Sequence, residues 1–322
     1  MDRAQGRRGR PAGPGTDGLL GATTEAAPTP PTTRDREALF EWFVPRSRVY
    51  PWRRTRDPYR ILVSEVMLQQ TQAARVVGAY RSFLRSFPSL PSLAKARRSA
   101  VVSAWGGLGY PRRAVALSQA ARAIVDDLGG TVPSEPTALQ ELPGIGPYTA
   151  AAVASIAFGV PVAAVDTNVR RIVARVAFGT HADDIAPADL AALAQRWLDP
   201  RAPGAWNQAL MDLGREMCRP ARPRCDACPL ASSCRFRARG AQPRASREKH
   251  PPFEGSLRQA RGAVLRELRA ARSCTLAMLA RSTGLPIDRV TEAVRGLEAD
   301  GIARATRAAA EGHPRARVGL AD

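Results

Sequence analysis

The sequence predicts an all-α core of about 200 residues followed by a separate, smaller helical unit. Three observations carry this expectation. The 322 residues exceed one small domain and suit a two-lobed core with an appendage. From Arg34 to about Arg239 the apolar residues recur at helical spacing, whereas period-two runs rich in β-branched residues are scarce. Between Arg239 and Phe253 a Pro-, Arg- and polar-rich stretch reads as a linker, residues 241–253, after which helical periodicity resumes.

Taken in order, residues 1–33 are rich in Gly, Pro, Thr and Ala without apolar periodicity and read as a disordered tail. Its Arg7-Arg8-Gly9-Arg10-Pro11 run is read as a solvated basic segment, with a minor-groove hook as the alternative. No secretory signal is visible in the first thirty residues, where Leu19 and Leu20 are the only large apolar side chains after Met1, so a cytoplasmic location is expected. In the core, residues 34–240, punctuation by Pro88, Pro91, Gly106-Gly107, Gly129-Gly130, Pro133, Pro143 and Pro161 leaves about ten helices. No charge falls between Glu141 and Asp166, which raises a membrane span, but Pro143, Gly144, Gly146, Pro147 and Pro161 break the stretch. Its Ala-rich remainder fits a buried helix.

In the appended unit, residues 254–322, helices are expected over Leu257–Leu268, Thr275–Arg281 and Asp288–Ala299. Gly284-Leu285-Pro286 makes the turn between the last two, and Asp300-Gly301 leads into a wing that includes Arg304 and Arg307. The pattern resembles a winged helix-turn-helix, with a small protein-docking bundle as the alternative.

Lys and Arg number 48 against 29 Asp and Glu, a net charge of +19, which favours an anionic partner: nucleic acid first, acidic membrane second. GC-rich codon usage would give the same arginine excess, so the motifs decide. Lys95 and Lys249 are the only lysines, which leaves two candidates for any chemistry that needs a side-chain amine.

Glu65 stands in Ile61-Leu62-Val63-Ser64-Glu65-Val66-Met67-Leu68, one carboxylate among six large apolar neighbours. If buried, it has a raised pKa and can hold a proton near neutrality, as a general acid must; the segment alone is equally compatible with a glutamate facing solvent. Asp166 precedes Thr167-Asn168-Val169-Arg170-Arg171 as the N-cap of a new helix, where backbone N–H groups and the helix dipole favour the ionised form. Capping alone explains it. Together, however, two carboxyls in contrasting environments supply one acid and one anion at the same pH, the division of labour that glycoside hydrolysis needs.

Leu142-Pro143-Gly144-Ile145-Gly146-Pro147-Tyr148 joins a short helix to another. Gly144 and Gly146 let the backbone come close to a ligand, and the free N–H groups of the new helix make an anion site. This is a helix-hairpin-helix pattern that holds DNA phosphate without reading sequence; a plain helix–helix turn is the alternative. Cys218, Cys225, Cys228 and Cys234 follow a C-x6-C-x2-C-x5-C spacing, which points to a metal centre in a reducing cell. Only one C-x2-C pair is present, so an iron–sulfur cluster is favoured over zinc. Arg215, Arg219, Arg222, Arg224, Arg235, Arg237 and Arg239 surround this loop as a DNA-backbone footprint or a solvated face, while Cys274 reads as a small core residue.

Together with Pro51-Trp52, the Ser64–Thr71 string and Gly107-Leu108-Gly109-Tyr110, these motifs resemble, in order, those of the endonuclease III superfamily. The likeness spans roughly residues 35–240 and is closest to the MutY-type adenine DNA glycosylases. It implies a two-lobed helix-hairpin-helix fold, with a six-helix lobe over 59–165 and an iron–sulfur lobe built from 34–58 and 166–240. It also implies that Glu65 protonates adenine N7, that Asp166 stabilises the sugar cation or its covalent adduct, that Tyr148 hydrogen-bonds near the acid and that Asn168 helps to position the pocket. Trp52 and Arg53 are then expected near the flipped base. Gln70 and Tyr110 are expected to wedge into the stack beside the opposite base, with Leu68 and Thr71 close by. Cys218, Cys225, Cys228 and Cys234 would hold a 4Fe–4S cluster. The implied partner is double-stranded DNA with a mismatched adenine, bound by a monomer without membrane involvement, at the bacterial nucleoid.

Strand-cutting members of the superfamily place a lysine where Tyr148 stands, and neither Lys95 nor Lys249 is in register, so the resemblance implies a monofunctional glycosylase. Two departures stand out. Thr167 replaces the glycine that often follows the aspartate. The family commonly carries a C-terminal Nudix-like β domain that recognises 8-oxoguanine, and the roughly seventy residues after the linker are too few and too helical for one. The competing functions are a thymine or uracil mismatch glycosylase and a non-catalytic iron–sulfur DNA-binding regulator. The Met67–Thr71 string argues against the first, and the presence of both carboxylates against the second.

Overall fold

The computed structural model describes residues 30–47, 49–244 and 252–322. The Arg7–Pro11 run, most of the expected tail, Lys249 and the middle of the linker lie outside the described residues. Helix α1 (Thr33–Phe43) opens on a reciprocal cap: the Thr32 hydroxyl accepts from the Asp35 N–H at 3.2 Å, and the Asp35 carboxylate accepts the Thr32 N–H at 2.8 Å.

The first lobe holds α2 (Pro58–Leu68), α3 (Ala73–Ser86), α4 (Leu90–Ala94), α5 (Arg98–Ala104), α6 (Arg112–Asp127), α7 (Pro136–Gln140) and α8 (Pro147–Phe158). They enclose a core in which Ile61, Leu62, Phe83, Trp105, Leu117 and Ile124 are almost wholly buried. Seven helices occupy this lobe where the resemblance implies six. Helix α8, the Ala-rich segment, is buried on nearly all sides, as its lack of charge predicts. Among the described residues no helix is long and apolar enough to cross a membrane.

The second lobe holds α9 (Thr167–Val173), which runs on through a π-helical turn at Ala174–Phe178, then α10 (Pro187–Trp197), α11 (Pro203–Glu216) and α12 (Arg235–Ala238). Leu39 and Phe43 of α1 join its core beside Trp197 and Trp206, while Trp52 of the same N-terminal segment packs into the first lobe. Twelve α-helices thus occupy the described part of the core instead of about ten. The surplus lies in α4, α7 and α12, four or five residues each and too short to show an apolar period.

The C-terminal unit runs α13 (Leu257–Ala271), β1 (Ser273–Thr275), α14 (Leu276–Thr283), α15 (Ile287–Ala299), β2 (Ala303–Ala305), α16 (Arg307–Ala310) and β3 (Arg317–Leu320). β3 lies between β1 and β2, antiparallel to both, with Cys274 opposite Val318 and Arg304 opposite Gly319. The three expected helices are present, but Thr275 ends a strand and caps α14, with its hydroxyl accepting from the Met278 N–H at 3.2 Å. Arg304 lies on β2, whereas Arg307 opens α16. Cys274 is buried. The unit's core includes Val102 of α5 and Val115 of α6, so it packs directly on the first lobe.

Candidate active site and DNA interface

Helix α2 starts where Asp57 accepts the Arg60 N–H at 3.1 Å and Pro58 takes a position that needs no hydrogen bond. Its residues Tyr59 to Met67 are buried except Arg60, and Glu65 is only 5% exposed. Burial lifts the Glu65 carboxyl from an ordinary 4.5 to about 7, against the opposing pull of the Tyr148 hydrogen bond and the Arg53 charge. The Tyr148 hydroxyl donates to Glu65 Oε2 at 3.2 Å and lies 3.3 Å from Met211 Sδ. Burial, and then the neighbouring carboxyls, hold that phenol well above its usual range, so it stays a neutral donor.

Asp166 caps α9 and is half-buried: its Oδ1 accepts the Val169 N–H at 2.7 Å and its Oδ2 accepts Asn168 Nδ2–H at 2.7 Å. Asn168 in turn accepts from Arg171 Nη2 at 2.8 Å, and the same nitrogen donates to the Gly214 carbonyl at 2.8 Å. Gly214 permits this approach, because a Cβ there would stand 2.5 Å from Asn168 Cβ. Both carboxyls thus face one inter-lobe site. Glu65 is supported by a neutral phenol and Asp166 by two N–H groups.

A further carboxylate beside the site, the buried Asp212, escaped the sequence reading. It accepts a bidentate pair from Arg53 at 2.8 and 3.0 Å and a further contact from Arg215 at 3.0 Å. Its charge is matched where that of Glu65 is not. The signal that marks Glu65 was present here too, since Asp212 interrupts Ala209-Leu210-Met211 and Leu213. Arg215 lies over the Tyr50 ring, and Tyr50 stacks on Trp52 with centroids 4.9 Å apart. Trp52 itself is 2% exposed, edge-on against Tyr80. Trp52 thus forms a buried floor beneath Tyr50, whose half-buried ring packs against both Trp52 and Arg215.

Among the described residues, three that are not glycine adopt left-handed φ: Gln70 at 53°, Tyr110 at 46° and Arg272 at 58°. Two of them are the residues expected to wedge into DNA, both exposed, and such strain persists only where the surroundings fix it. Arg113 does the fixing. Its Nη1 donates to the carbonyls of Val66 and Met67 at 3.0 Å and to that of Gln69, and its Nη2 donates to Thr71 Oγ1 at 3.1 Å and the Gly109 carbonyl at 3.2 Å. One guanidinium, resting on Trp105 and Tyr110, therefore ties the Gln70 turn to the Tyr110 loop. Leu68 is half-buried against the first core, and Gln69 donates to Thr149 Oγ1 at 3.1 Å, linking the turn to the helix that carries Tyr148.

In the hairpin, Gly144 sits at φ 76°, and a Cβ there would come within 2.6 Å of Ala116 Cβ, so only glycine allows this loop to rest on α6. Gly146 faces open space, and no side chain caps α8, which leaves its first-turn N–H groups available.

The four cysteines converge on one small pocket shared with Arg175 and Phe236. Burial raises the thiol of Cys228 to about 12 and those of Cys225 and Cys234 also upward. Arg175 is 2% exposed. It reaches Cys218 Sγ at 3.5 Å, donates to the carbonyls of Arg219 and Pro220 at 2.8 and 2.7 Å, and lies over Phe236. Among the described residues no group of three or more His, Cys, Asp or Glu side chains is close enough to hold a single metal ion. Arg219, Arg222 and Arg224 are exposed around this loop.

The fold is that of a class of DNA repair proteins: residues 63–200 match the HhH-GPD superfamily of base excision DNA repair proteins. An adenine DNA glycosylase of Mycobacterium tuberculosis is 43% identical over 246 residues, covering 72% of this chain and 78% of that protein. The human adenine DNA glycosylase is 43% identical over 221 residues, covering 65% of this chain and 40% of its own length. The chain belongs to the adenine DNA glycosylase family. It spans about two fifths of the length of the mammalian relatives it matches, 40% to 44%. In three dimensions it resembles a thermostable thymine-DNA glycosylase, with 31% identity and a TM-score of 0.59 over 64% of this chain and 97% of that one. It shares the fold of endonuclease III in a non-covalent DNA complex, with 23% identity and a TM-score of 0.55 over 65% of this chain and 99% of that one.

Proposed function

We propose that this protein is a monofunctional DNA glycosylase that removes adenine mispaired with 8-oxoguanine or guanine. The observation that carries the reading is the Glu65 carboxyl, buried, held by the Tyr148 hydroxyl and protonated to about half near pH 7. Such an acid delivers its proton to adenine N7, so that the C1′–N9 bond breaks with its electron pair on the base. The Asp166 carboxylate, oriented by Val169 N–H and Asn168, supports the positive charge that develops at C1′. Water then completes the sugar, leaving an abasic site. Tyr148 supplies no amine, and Lys95, the one lysine among the described residues, lies exposed at the end of α4.

The strained Gln70 and Tyr110 turns, with Leu68 and Thr71 beside them, are the elements that enter the DNA stack. The N-terminus of α8, opened by Gly144 and Gly146, holds a backbone phosphate. Cys218, Cys225, Cys228 and Cys234 fit a 4Fe–4S cluster: the donors are all thiols, they line one small pocket, and a buried guanidinium, Arg175, offsets the negative charge of a thiolate cluster. Bound there, a cluster would crosslink this loop covalently between the end of α11, which Cys218 follows, and the start of α12, which Cys234 caps. The C-terminal unit, with its helix-strand-helix-helix-strand-helix-strand order and three-stranded antiparallel sheet, is a winged-helix-like module.

Replacing Glu65 by Gln keeps the volume and removes the proton source. Single-turnover release from duplexes with adenine opposite 8-oxoguanine is expected to fall by about a hundredfold or more, with duplex binding retained. Parallel T:G and U:G duplexes, scored for the released base, test substrate class, and release of thymine or uracil in place of adenine overturns the reading.

A further inference from the structure

The C-terminal unit packs on the two helices that frame the Tyr110 loop: α5 leads into that loop and α6 leads out of it. Val102 and Val115 are buried in the same core as Val264, Leu268 and Leu297. Arg98, at the start of α5, donates to the Gly301 carbonyl at 3.1 Å, and Ser99 donates to Asp322. Asp300, with a side chain 11% exposed, takes Arg261 of its own unit and, on its other oxygen, Arg112 Nε at 3.4 Å. Arg112 is two residues beyond Tyr110 and next to Arg113, the residue that pins the loop from inside. The apolar contacts and polar anchors thus bear on the segment whose exposed tyrosine is held at φ 46°.

We propose that the C-terminal unit is a buttress for the Tyr110 wedge, with Asp300 as its positioning residue. Recognition of the base opposite the adenine then depends on this unit through the loop that it braces. A left-handed tyrosine relaxes when either flanking helix can shift, and the brace on α5 and α6 removes that freedom. The proposal rests on the reading that Tyr110 enters the DNA stack.

The test is a double-mutant cycle on the full chain with Tyr110→Ala, Asp300→Ala and the pair combined. The readout is the ratio of single-turnover rates for adenine opposite 8-oxoguanine and adenine opposite thymine. Asp300→Ala is expected to lower that ratio by about threefold or more, and to have no further effect once Tyr110 is alanine, a non-additivity that general loss of stability does not produce. Arg98→Ala, made on the core side and outside the fold of the C-terminal unit, is expected to behave the same way, which keeps the test valid if Asp300→Ala perturbs its own unit. Additive losses, or no loss with both Asp300→Ala and Arg98→Ala, overturn the buttress and leave the wedge intact. No loss with Tyr110→Ala overturns the wedge reading itself.

Discussion

At the scale of the residue, the site turns on how differently two buried carboxyls are treated. Asp212 is matched by Arg53 and Arg215, whereas Glu65 has a phenol and an apolar helix face. A group raised from 4.5 to about 7 binds its proton more tightly in the folded state. It stabilises the fold fully below about pH 4.5, and that contribution is lost as pH rises through about 7, amounting to about 3 kcal/mol. Glu65→Gln cannot ionise and escapes this loss. Its melting temperature is expected to pull ahead of the parent's between pH 5 and 8, as thermal melts across that range can show; a constant difference would place Glu65 in water. The same acid sets the pH dependence of catalysis. Because the protonated form acts, single-turnover release is expected to decline above about pH 7. The Tyr148 hydrogen bond pulls the Glu65 pKa down, so in Tyr148→Phe the declining limb moves to higher pH, which rate profiles of the two proteins would reveal.

At the scale of the element, α11 joins the lobes through close approaches that only small side chains permit. Gly204 lies where a Cβ would meet the Ser155 carbonyl at 2.7 Å, and Gly214 where one would meet Asn168 Cβ at 2.5 Å. Asn207 between them donates to Ser155 Oγ and the Val162 carbonyl, each at 2.9 Å. Helix propensity alone predicts that Gly214→Ala stabilises α11 by about 1 kcal/mol. The clash predicts the opposite: α9 is pushed away with Asp166 at its tip, a loss of about 1 to 3 kcal/mol with slower base release. Thermal melts and single-turnover rates distinguish the two signs. The contrast also shows what the sequence can reveal. Glu65, the Asp166 cap, the hairpin glycines and the three C-terminal helices each break or follow a local pattern and were legible. The pairing of Arg53 with Asp212 spans 159 positions, and the Arg113 clamp joins two turns whose contact exists only after folding, so neither leaves a local period. Strand β1 is three residues long, too short for alternation to register. The burial of Trp52 beneath Tyr50 was not legible either, because adjacency in sequence does not reveal that the two rings stack.

At the scale of the molecule, a net charge of +19 on 322 residues has two explanations that differ in their response to salt. If the arginines only reflect codon usage, they are scattered and screened, and removing a few leaves binding unchanged. If the cysteine loop forms part of a DNA footprint, each arginine on a phosphate releases a counterion, and the logarithm of the binding constant falls with the logarithm of salt concentration by about 0.9 per contact. Arg219, Arg222 and Arg224 stand exposed on that loop, on the lobe that carries Asp166. Converting all three to Gln is therefore expected to lower the slope for an adenine-mispaired duplex by about 3. Base release at saturating enzyme should stay near that of the parent, because positioning contacts to the backbone do not act on the reacting bond. Fluorescence-anisotropy titrations between roughly 50 and 200 mM salt span the needed range. A slope equal to the parent's would detach the loop from the interface and return its arginines to the solvated surface.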